Sequence, residues 1–298
     1  MAPETYPKPR LYALEAAGPR ELEAPAGALN LHLLFDELPH GIYEALRTFQ
    51  HDRFLGLAEH IERAEASIAS AGLDYELDEA QLRAALHEIA SAYPAQDSRL
   101  RFDVLRTAPA MLDTSSRVLI GIGPHDPPSD EVMSHGVRVG LNSRVQRSEP
   151  LVKSAGWVLE RRPLEVEQDE YDVLLLDDEE RLLECTSANF FAVRNGVIYT
   201  AGEHVLRGVT RCLLLQLAHE LMLPIRQVPI VRDDIASLQE AFLTSSSRSI
   251  IPIVDIAGET VGDGKPGAIT RKLIAAYDHM AQKNARWAIR PESFDPAE

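Results

Sequence analysis

A few short stretches of the chain carry side chains whose type and spacing could do chemistry. Lys153 follows Pro150-Leu151-Val152 in an apolar neighbourhood. A lysine is normally a solvated charge, but a buried one has a lowered pKa and becomes an amine nucleophile or Schiff-base former. Glu184 ends the apolar run Arg181-Leu-Leu-Glu and precedes Cys-Thr-Ser-Ala-Asn; alone it reads as a simple surface glutamate. Leu206-Arg-Gly-Val-Thr210-Arg sets a glycine turn at the start of a helix. Backbone N–H groups and the helix dipole favour an anion such as phosphate there, and Thr210 adds a hydroxyl, although it could equally be an ordinary first-turn residue. Thr244-Ser245-Ser246-Ser247 lies between two apolar runs and is either a donor-rich turn for an anion or a plain polar turn. In Arg99-Leu-Arg-Phe-Asp-Val104, Arg99, Arg101 and Asp103 share one face of a strand. That face is either solvated or the charged wall of a carboxylate pocket, where arginine gives bidentate geometry.

Regular elements must hold these residues. Residues 28–35 (ALNLHLLF) and 41–49 (GIYEALRTF) read as strands with a turn at Pro39–Gly41. Apolar spacing predicts a helix over 57–71 that stops at Gly72, and a second over 78–92 that starts at Asp78 and ends before Pro94. Strands follow near 99–106 and 117–122. Gly-Pro-His-Asp-Pro-Pro-Ser-Asp, 123–130, has the composition of a linker. The reading is therefore a domain over 1–122, a linker over 123–135 and a second domain over 136–298. The second half shows strands near 136–142, 172–176, 181–185, 189–194, 197–200, 225–230, 240–244 and 250–256, with helices near 209–222 and 268–282. Asn195-Gly196 marks a hairpin turn. The first ten residues read as a lead-in and the tail from Pro291 as frayed. Short strands and helices mixed in two halves point to an α+β chain, not a regular βαβ array.

Composition narrows the classes. The chain has 298 residues, 45 % hydrophobic and 26 % charged, enough for a sizeable core in about two domains. Its net charge of −16 repels a phosphate backbone and argues against nucleic-acid binding. The two cysteines, Cys185 and Cys212, fit neither a disulfide framework nor a metal motif and read as thiols in a reducing compartment. No signal peptide and no run of about 18 apolar residues is visible, so the cytoplasm is the expected location and a membrane is not expected. Zinc, Walker, dinucleotide and nucleophile-elbow patterns do not occur.

Taken in order, the pieces resemble the fold-type IV pyridoxal 5′-phosphate (PLP) enzymes: branched-chain aminotransferases, D-amino acid aminotransferases and aminodeoxychorismate lyases. The stretches that carry the resemblance run from about residue 36 to 280. They are Gly41-Ile-Tyr-Glu-Ala-Leu-Arg47, Phe54…Glu59-His-Ile-Glu-Arg63…Ser67, Leu151-Val-Lys153-Ser, Leu183-Glu184…Ser187-Ala-Asn189-Phe-Phe, Leu206-Arg-Gly-Val-Thr210-Arg and Phe242-Leu-Thr-Ser-Ser…Ile251-Pro-Ile-Val. The resemblance implies a smaller N-terminal α/β domain and a larger C-terminal domain with a β-barrel-like core. It implies that Lys153 bonds PLP and shuttles the substrate proton, and that Glu184 pairs with the ring nitrogen. Arg63, Val209, Thr210, Ser245 and Ser246 would hold the phosphate, and Leu206 would lie against the ring. Tyr43 would line the substrate pocket.

The chain also departs from the family. The run Lys153-Ser-Ala-Gly-Trp157 lacks the usual asparagine, and Ala108-Pro-Ala-Met-Leu-Asp113 lacks the Arg-x-His carboxylate trap of D-amino acid enzymes. Arg99, Arg101, Ser247 and Arg248 are therefore the candidate substrate-side residues. The expected activity is transfer of an amino group to a 2-oxo acid, 2-oxoglutarate or pyruvate, of the D-amino acid or branched-chain type. A lyase acting on aminodeoxychorismate and a non-catalytic PLP-fold protein are the alternatives. Family members imply a homodimer at least.

Overall fold

The computed structural model describes residues 7–24, 31, 33–35, 38–162, 164 and 169–289. The chain divides into two compact units. One holds the described residues up to Asp126 together with Val152–Gly156 and those from Ala281 onward; the other holds Pro127–Leu151 and Trp157–Met280.

The first unit is an antiparallel sheet covered by two helices. Its strands are β1 (Arg10–Glu15), β2 (Gly18–Leu22), β3 (Gly41–Phe49), β4 (Arg53–Phe54), β5 (Ser98–Leu105) and β6 (Val118–Pro124), in the order β4-β3-β5-β6-β1-β2, with the short Arg286–Trp287 strand beyond β4. Helices α1 (Leu57–Ser70) and α2 (Glu79–Ala92) supply Ile61, Ala64, Leu82 and Leu86 to a core with Ile42, Leu46, Leu100, Phe102 and Ile120. Asp78 caps α2 through Gln81 N at 2.9 Å, as the sequence pattern predicts. The period of two in β3 sorts the face: Ile42, Glu44, Leu46 and Thr48 are buried, while Tyr43, Ala45 and Arg47 are half-buried on the other side. That second face carries its own apolar group, Leu11, Ala13, Leu34, Phe35 and Leu119.

One expectation fails here. Within 28–35, Leu31 and Leu33–Phe35 form turns and not a strand, and 28–30 and 32 lie outside the described residues. The apolar run packs flat against a bare backbone: a Cβ on Gly121 would stand 2.7 Å from both Leu31 and Phe35. The apolar residues mark burial, which a covering loop uses as well as a strand does. The β1–β2 hairpin, by contrast, hides from pattern reading because Leu11-Tyr-Ala-Leu14 is buried throughout. Of the expected lead-in, 1–6 lie outside the described residues and Arg10 opens β1; the tail from Pro291 is also outside them.

The second unit is built on a closed barrel. Its strands are β7 (Val137–Asn142), β8 (Asp172–Leu176), β9 (Leu182–Cys185), β10 (Ala188–Arg194), β11 (Val197–Tyr199), β12 (Ile225–Arg226), β13 (Glu240–Ser245), β14 (Ser249–Ile256) and β15 (Glu259–Thr260). The order β10-β13-β14-β7-β8-β9 returns to β10, because β9 also pairs with it. Closure removes sheet edges and fills the centre with Val139, Leu174, Leu182, Phe190, Leu243 and Ile253. Asn195 and Gly196 turn β10 into β11 with φ of 51° and 71°, the two positive angles that a tight hairpin demands. Helices α3 (Asp130–His135), α4 (Gly156–Glu160), α5 (Val209–Glu220) and α6 (Ala268–Asn284) complete the chain. α3 follows the prolines, within the segment read as a linker, capped by Ser129 through Val132 N and stopped at Gly136. Cys185 and Cys212 are both free thiols. Among the described residues no helix is long and apolar enough to cross a membrane.

Truncation separates core from surface. Phe102, fully buried, should lose about 3–5 kcal/mol as Phe102→Ala, whereas Met111→Ala at an exposed position should stay within about 0.5 kcal/mol. Urea unfolding of the two variants measures both.

Candidate active site

In the first unit the site starts from β3. Residues 153–155 run along it as a short added edge: Tyr43 N donates to Lys153 O at 2.9 Å, Ala155 N donates to Gly41 O at 2.9 Å, and Ile42 bridges Ser154. Lys153 N donates to Ser67 Oγ on α1 at 3.2 Å. The backbone of Lys153 is thus held by sheet and helix together, and its ammonium lies 4.6 Å from the centre of the Tyr43 ring. Arg101 stacks near that ring as well, 4.5 Å from its centroid and 4.3 Å from that of Phe35. Its Nε and NH2 groups both donate to Asp103, each at 2.6 Å. Arg99 stands on the same face of β5, opposite Arg47.

Arg63 projects from α1 toward β3. Its Nε donates to Glu44 Oε1 at 2.8 Å and its NH2 to Glu44 Oε2 at 2.5 Å. The His60 ring lies 2.7 Å from Glu44 Oε2 through Nδ1, so the carboxylate draws the imidazole proton to that nitrogen. Glu44 is fully buried. Burial alone would raise its carboxyl, but the Arg63 charge and the hydrogen bonds from Arg63 and His60 hold it down at about 2. His60 moves down too, because burial outweighs the pull of Glu44, and it is a neutral ring at neutral pH.

The second unit holds another buried acid. Glu184, at the end of β9, takes Asn189 Nδ2 at 3.0 Å and Leu206 N at 3.2 Å on Oε2, and Arg147 NH1 at 3.3 Å on Oε1. Asn189 Nδ2 also donates to Leu206 O at 2.8 Å. Gly208 is required beside it: a Cβ there would stand 2.1 Å from Asn189 Oδ1. Gly208 opens α5 with no side chain to cap it, leaving Val209 and Thr210 at an uncapped N-terminus. Ser245 ends β13 and Ser246 and Ser247 follow it, all three half-buried. Arg248 Nε donates to Ser245 Oγ at 3.1 Å and NH2 to Ser187 Oγ at 2.7 Å. Buried Asp172 accepts the Thr186 hydroxyl at 2.7 Å and the Ser187 hydroxyl at 2.5 Å, which ties this turn to β8.

The structure therefore gathers Lys153, Arg63, Tyr43, Arg99 and Arg101 in one unit, and Glu184, Leu206, Val209, Thr210, Ser245, Ser246, Ser247 and Arg248 in the other. Sequence reasoning missed the partners. Glu44 and His60 sit inside quoted motifs, and alternation on β3 against a helix that carries Arg63 was the available signal. Arg147 lies in Gln146-Arg-Ser-Glu, where no periodicity points inward.

The Glu44 pair makes stability depend on pH. The folded carboxyl is depressed from 4.5 to about 2, so its contribution is complete above 4.5 and is lost as pH falls through about 2. Glu44→Gln should flatten the acid limb of stability over that window. At neutral pH it should cost about 3–5 kcal/mol by stranding Arg63. Urea melts across the pH range give both values.

Known proteins share this architecture. A D-alanine aminotransferase of Bacillus licheniformis is 28 % identical over 248 residues, 80 % of this chain and 87 % of its own. A provisionally named branched-chain-amino-acid aminotransferase of Methanocaldococcus jannaschii is 26 % identical over 283 residues, 91 % of this chain and 95 % of its own. The crystal structure of the T.th. branched-chain amino acid aminotransferase with pyridoxamine 5′-phosphate has the same fold, with a TM-score of 0.78 at 19 % identity over 94 % of this chain and 98 % of that one. The sequence pattern of amino-transferase class IV matches residues 41–256, and with most of its length inside that match the chain belongs to the class IV aminotransferases.

Proposed function

We propose that this PLP-dependent aminotransferase moves the amino group of a small D- or branched-chain amino acid to 2-oxoglutarate or pyruvate, with Lys153 as its catalytic residue. The observation that carries the assignment is the seat of Lys153, whose backbone is bonded to β3 and α1 while its ammonium rests on the Tyr43 ring.

The residues present fit PLP. A phosphate calls for a cation, N–H groups and hydroxyls; in the second unit the uncapped start of α5 at Val209 and Thr210, with Ser245 and Ser246, would offer the N–H groups and hydroxyls, and in the first unit Arg63 would offer the cation. Thr244, just before that serine run, has a buried hydroxyl with no hydrogen-bond partner among the described residues. A ring nitrogen calls for an acid, and Glu184 is buried with its carboxylate oriented by Asn189, Leu206 N and Arg147. When bound, PLP supplies an electron sink that lets the substrate Cα–H bond ionise.

The chain's own groups do the rest. Lys153 Nζ would anchor the cofactor and, once the substrate amine has displaced it, would carry the proton from the substrate Cα to the cofactor carbon that had held the lysine. Glu184 would keep the ring nitrogen protonated. Leu206 would lie against the ring. Glu44 fixes the plane of the Arg63 guanidinium by a two-point bond, so the phosphate meets a preset donor array. On the substrate side, Tyr43, Arg99, Ser247 and Arg248 meet the carboxylate and side chain. Arg101, with its Nε/NH2 edge on Asp103, holds the Tyr43 ring in place. We infer a cytoplasmic enzyme that works as a homodimer at least, which equilibrium sedimentation checks.

The test is the visible spectrum of the PLP-loaded protein on addition of L- and D-amino acids one at a time. The band should shift with one enantiomer, which names the substrate type, and no shift with any amino acid would overturn the reading. Lys153→Ala should lose the shift and lower turnover by about 10²–10⁴-fold or more. Gly208→Ala, by pushing Asn189 off Glu184, should weaken PLP binding by about tenfold, the effect of about 1.4 kcal/mol, read by fluorescence titration.

A further inference from the structure

Arg63, Arg101 and Arg147 are buried or nearly so, and each is paired with an acid: Glu44, Asp103 and Glu184. Arg211, the third residue of α5, is the exception. It is 4 % exposed. Its NH2 group donates to Ala201 O at 2.8 Å and to Gln227 Oε1 at 3.0 Å, and both acceptors are neutral. Its Nε is buried without a hydrogen-bond partner among the described residues, and no carboxylate there pairs with it. Burial pulls the guanidinium below the usual arginine value, with Arg207 and against Cys212 and Glu184. Glu184 acts on it only through space, because its own oxygens are taken by Arg147, Asn189 and Leu206 N.

A buried cation without an acid is costly, and the position adds to that cost. The first turn of a helix already carries about half a positive charge, which disfavours a cation beside it. Helical side chains lean toward the N-terminus, and the bond to Ala201, ahead of α5, shows that Arg211 reaches back past the first turn. Its Cβ lies 3.5 Å from the place that a Cβ on Gly208 would take, so its stem starts beside the bare backbone of the helix start. The guanidinium and the free N–H groups of α5 therefore lie toward the same end of the helix. Holding the Ala201 carbonyl and the Gln227 amide needs only N–H donors; it does not need a buried charge. We propose that Arg211 makes the second unit select a phosphorylated cofactor, its acid-free charge being balanced by the cofactor phosphate at the start of α5. Arg211 acts on the phosphate by its charge, while the contacts remain with Val209 and Thr210. This inference rests on the phosphate seat proposed above and is independent of which amino acid the enzyme uses.

The experiment compares the retention of PLP and of pyridoxal, which lacks the phosphate, by equilibrium dialysis of the loaded full-length chain, read by the visible band. Arg211→Gln keeps N–H donors for Ala201 O and drops the charge. It should weaken PLP by about tenfold or more and pyridoxal by less than about twofold. Arg211→Lys keeps the charge and should keep the parent's ratio of the two constants. One further measurement needs no variant: inorganic phosphate should raise the thermal midpoint of the pyridoxal-loaded parent saturably, beyond the effect of chloride at equal ionic strength. Equal loss of both cofactors in Arg211→Gln would make the arginine a prop of the fold and overturn the proposal. An unchanged ratio in that variant, or a phosphate response no greater than that of chloride, overturns it as well. All three outcomes leave the aminotransferase reading standing. A parent that retains neither cofactor overturns both.

Discussion

A carboxylate taken out of water is costly unless charges and N–H groups surround it, and each unit of this protein is organised around one. Glu44 is sealed beneath α1 and Glu184 is buried near the end of β9; neither is tolerable without its partners. Glu44 obliges α1 to present Arg63 and His60 at one height on β3. Glu184 obliges Asn189, Leu206 and Arg147 to converge from β10, the segment before α5 and the segment after β7. The demand propagates: Asn189 in turn excludes a side chain at Gly208, and the glycine leaves α5 uncapped. One buried acid thus sets both a bare backbone at Gly208 and the open start of α5.

The sheet does the remaining positioning. With a period of two, a single strand serves two environments: β3 turns Glu44 to the helices and Tyr43 to the opposite face. Lys153 gains its place through backbone bonds to the same strand, so lysine and tyrosine share one rigid frame. A catalytic amine on a free loop would sample many rotamers and directions. One whose N–H and C=O groups are both bonded has only its side-chain torsions left to fix.

Much of this was legible in the residues. The strand 41–49, the helix over 57–71, the cap at Asp78 and the Asn195-Gly196 hairpin each follow from local chemistry that tertiary structure did not override. The barrel was only an implication of family resemblance, because the parallel pairings of β7 with β14 and with β8 join segments far apart in sequence, which no local strand pattern encodes. The segment 28–35 misled because burial under a covering loop and burial in a strand leave the same apolar run. At the candidate site, the residues to which a direct chemical duty is proposed stand out by type: a lysine after an apolar run, a glycine before a helix, clustered hydroxyls. Their supporters did not. Glu44, Arg147 and Asp103 are ordinary charged residues in sequence, and their meaning lies in which cation they face.

That pairing bears on how so acidic a chain handles anionic ligands. With a net charge of −16, the protein as a whole repels what its active site must attract. Yet, Arg211 apart, the arginines nearest the site are matched to acids: Arg63 to Glu44, Arg101 to Asp103, Arg147 to Glu184, and Arg248 within 3.6 Å of Asp172. A matched arginine loses much of its long-range field and keeps its donor geometry. Attraction then arises at short range, where shape and N–H direction decide. Planar carboxylates and tetrahedral phosphates that fit the preset donors are held, and ions that offer charge without the geometry are not. For an enzyme that must bind and release two carboxylate-bearing partners in turn at the same place, short-range recognition of this kind permits selection without trapping the product.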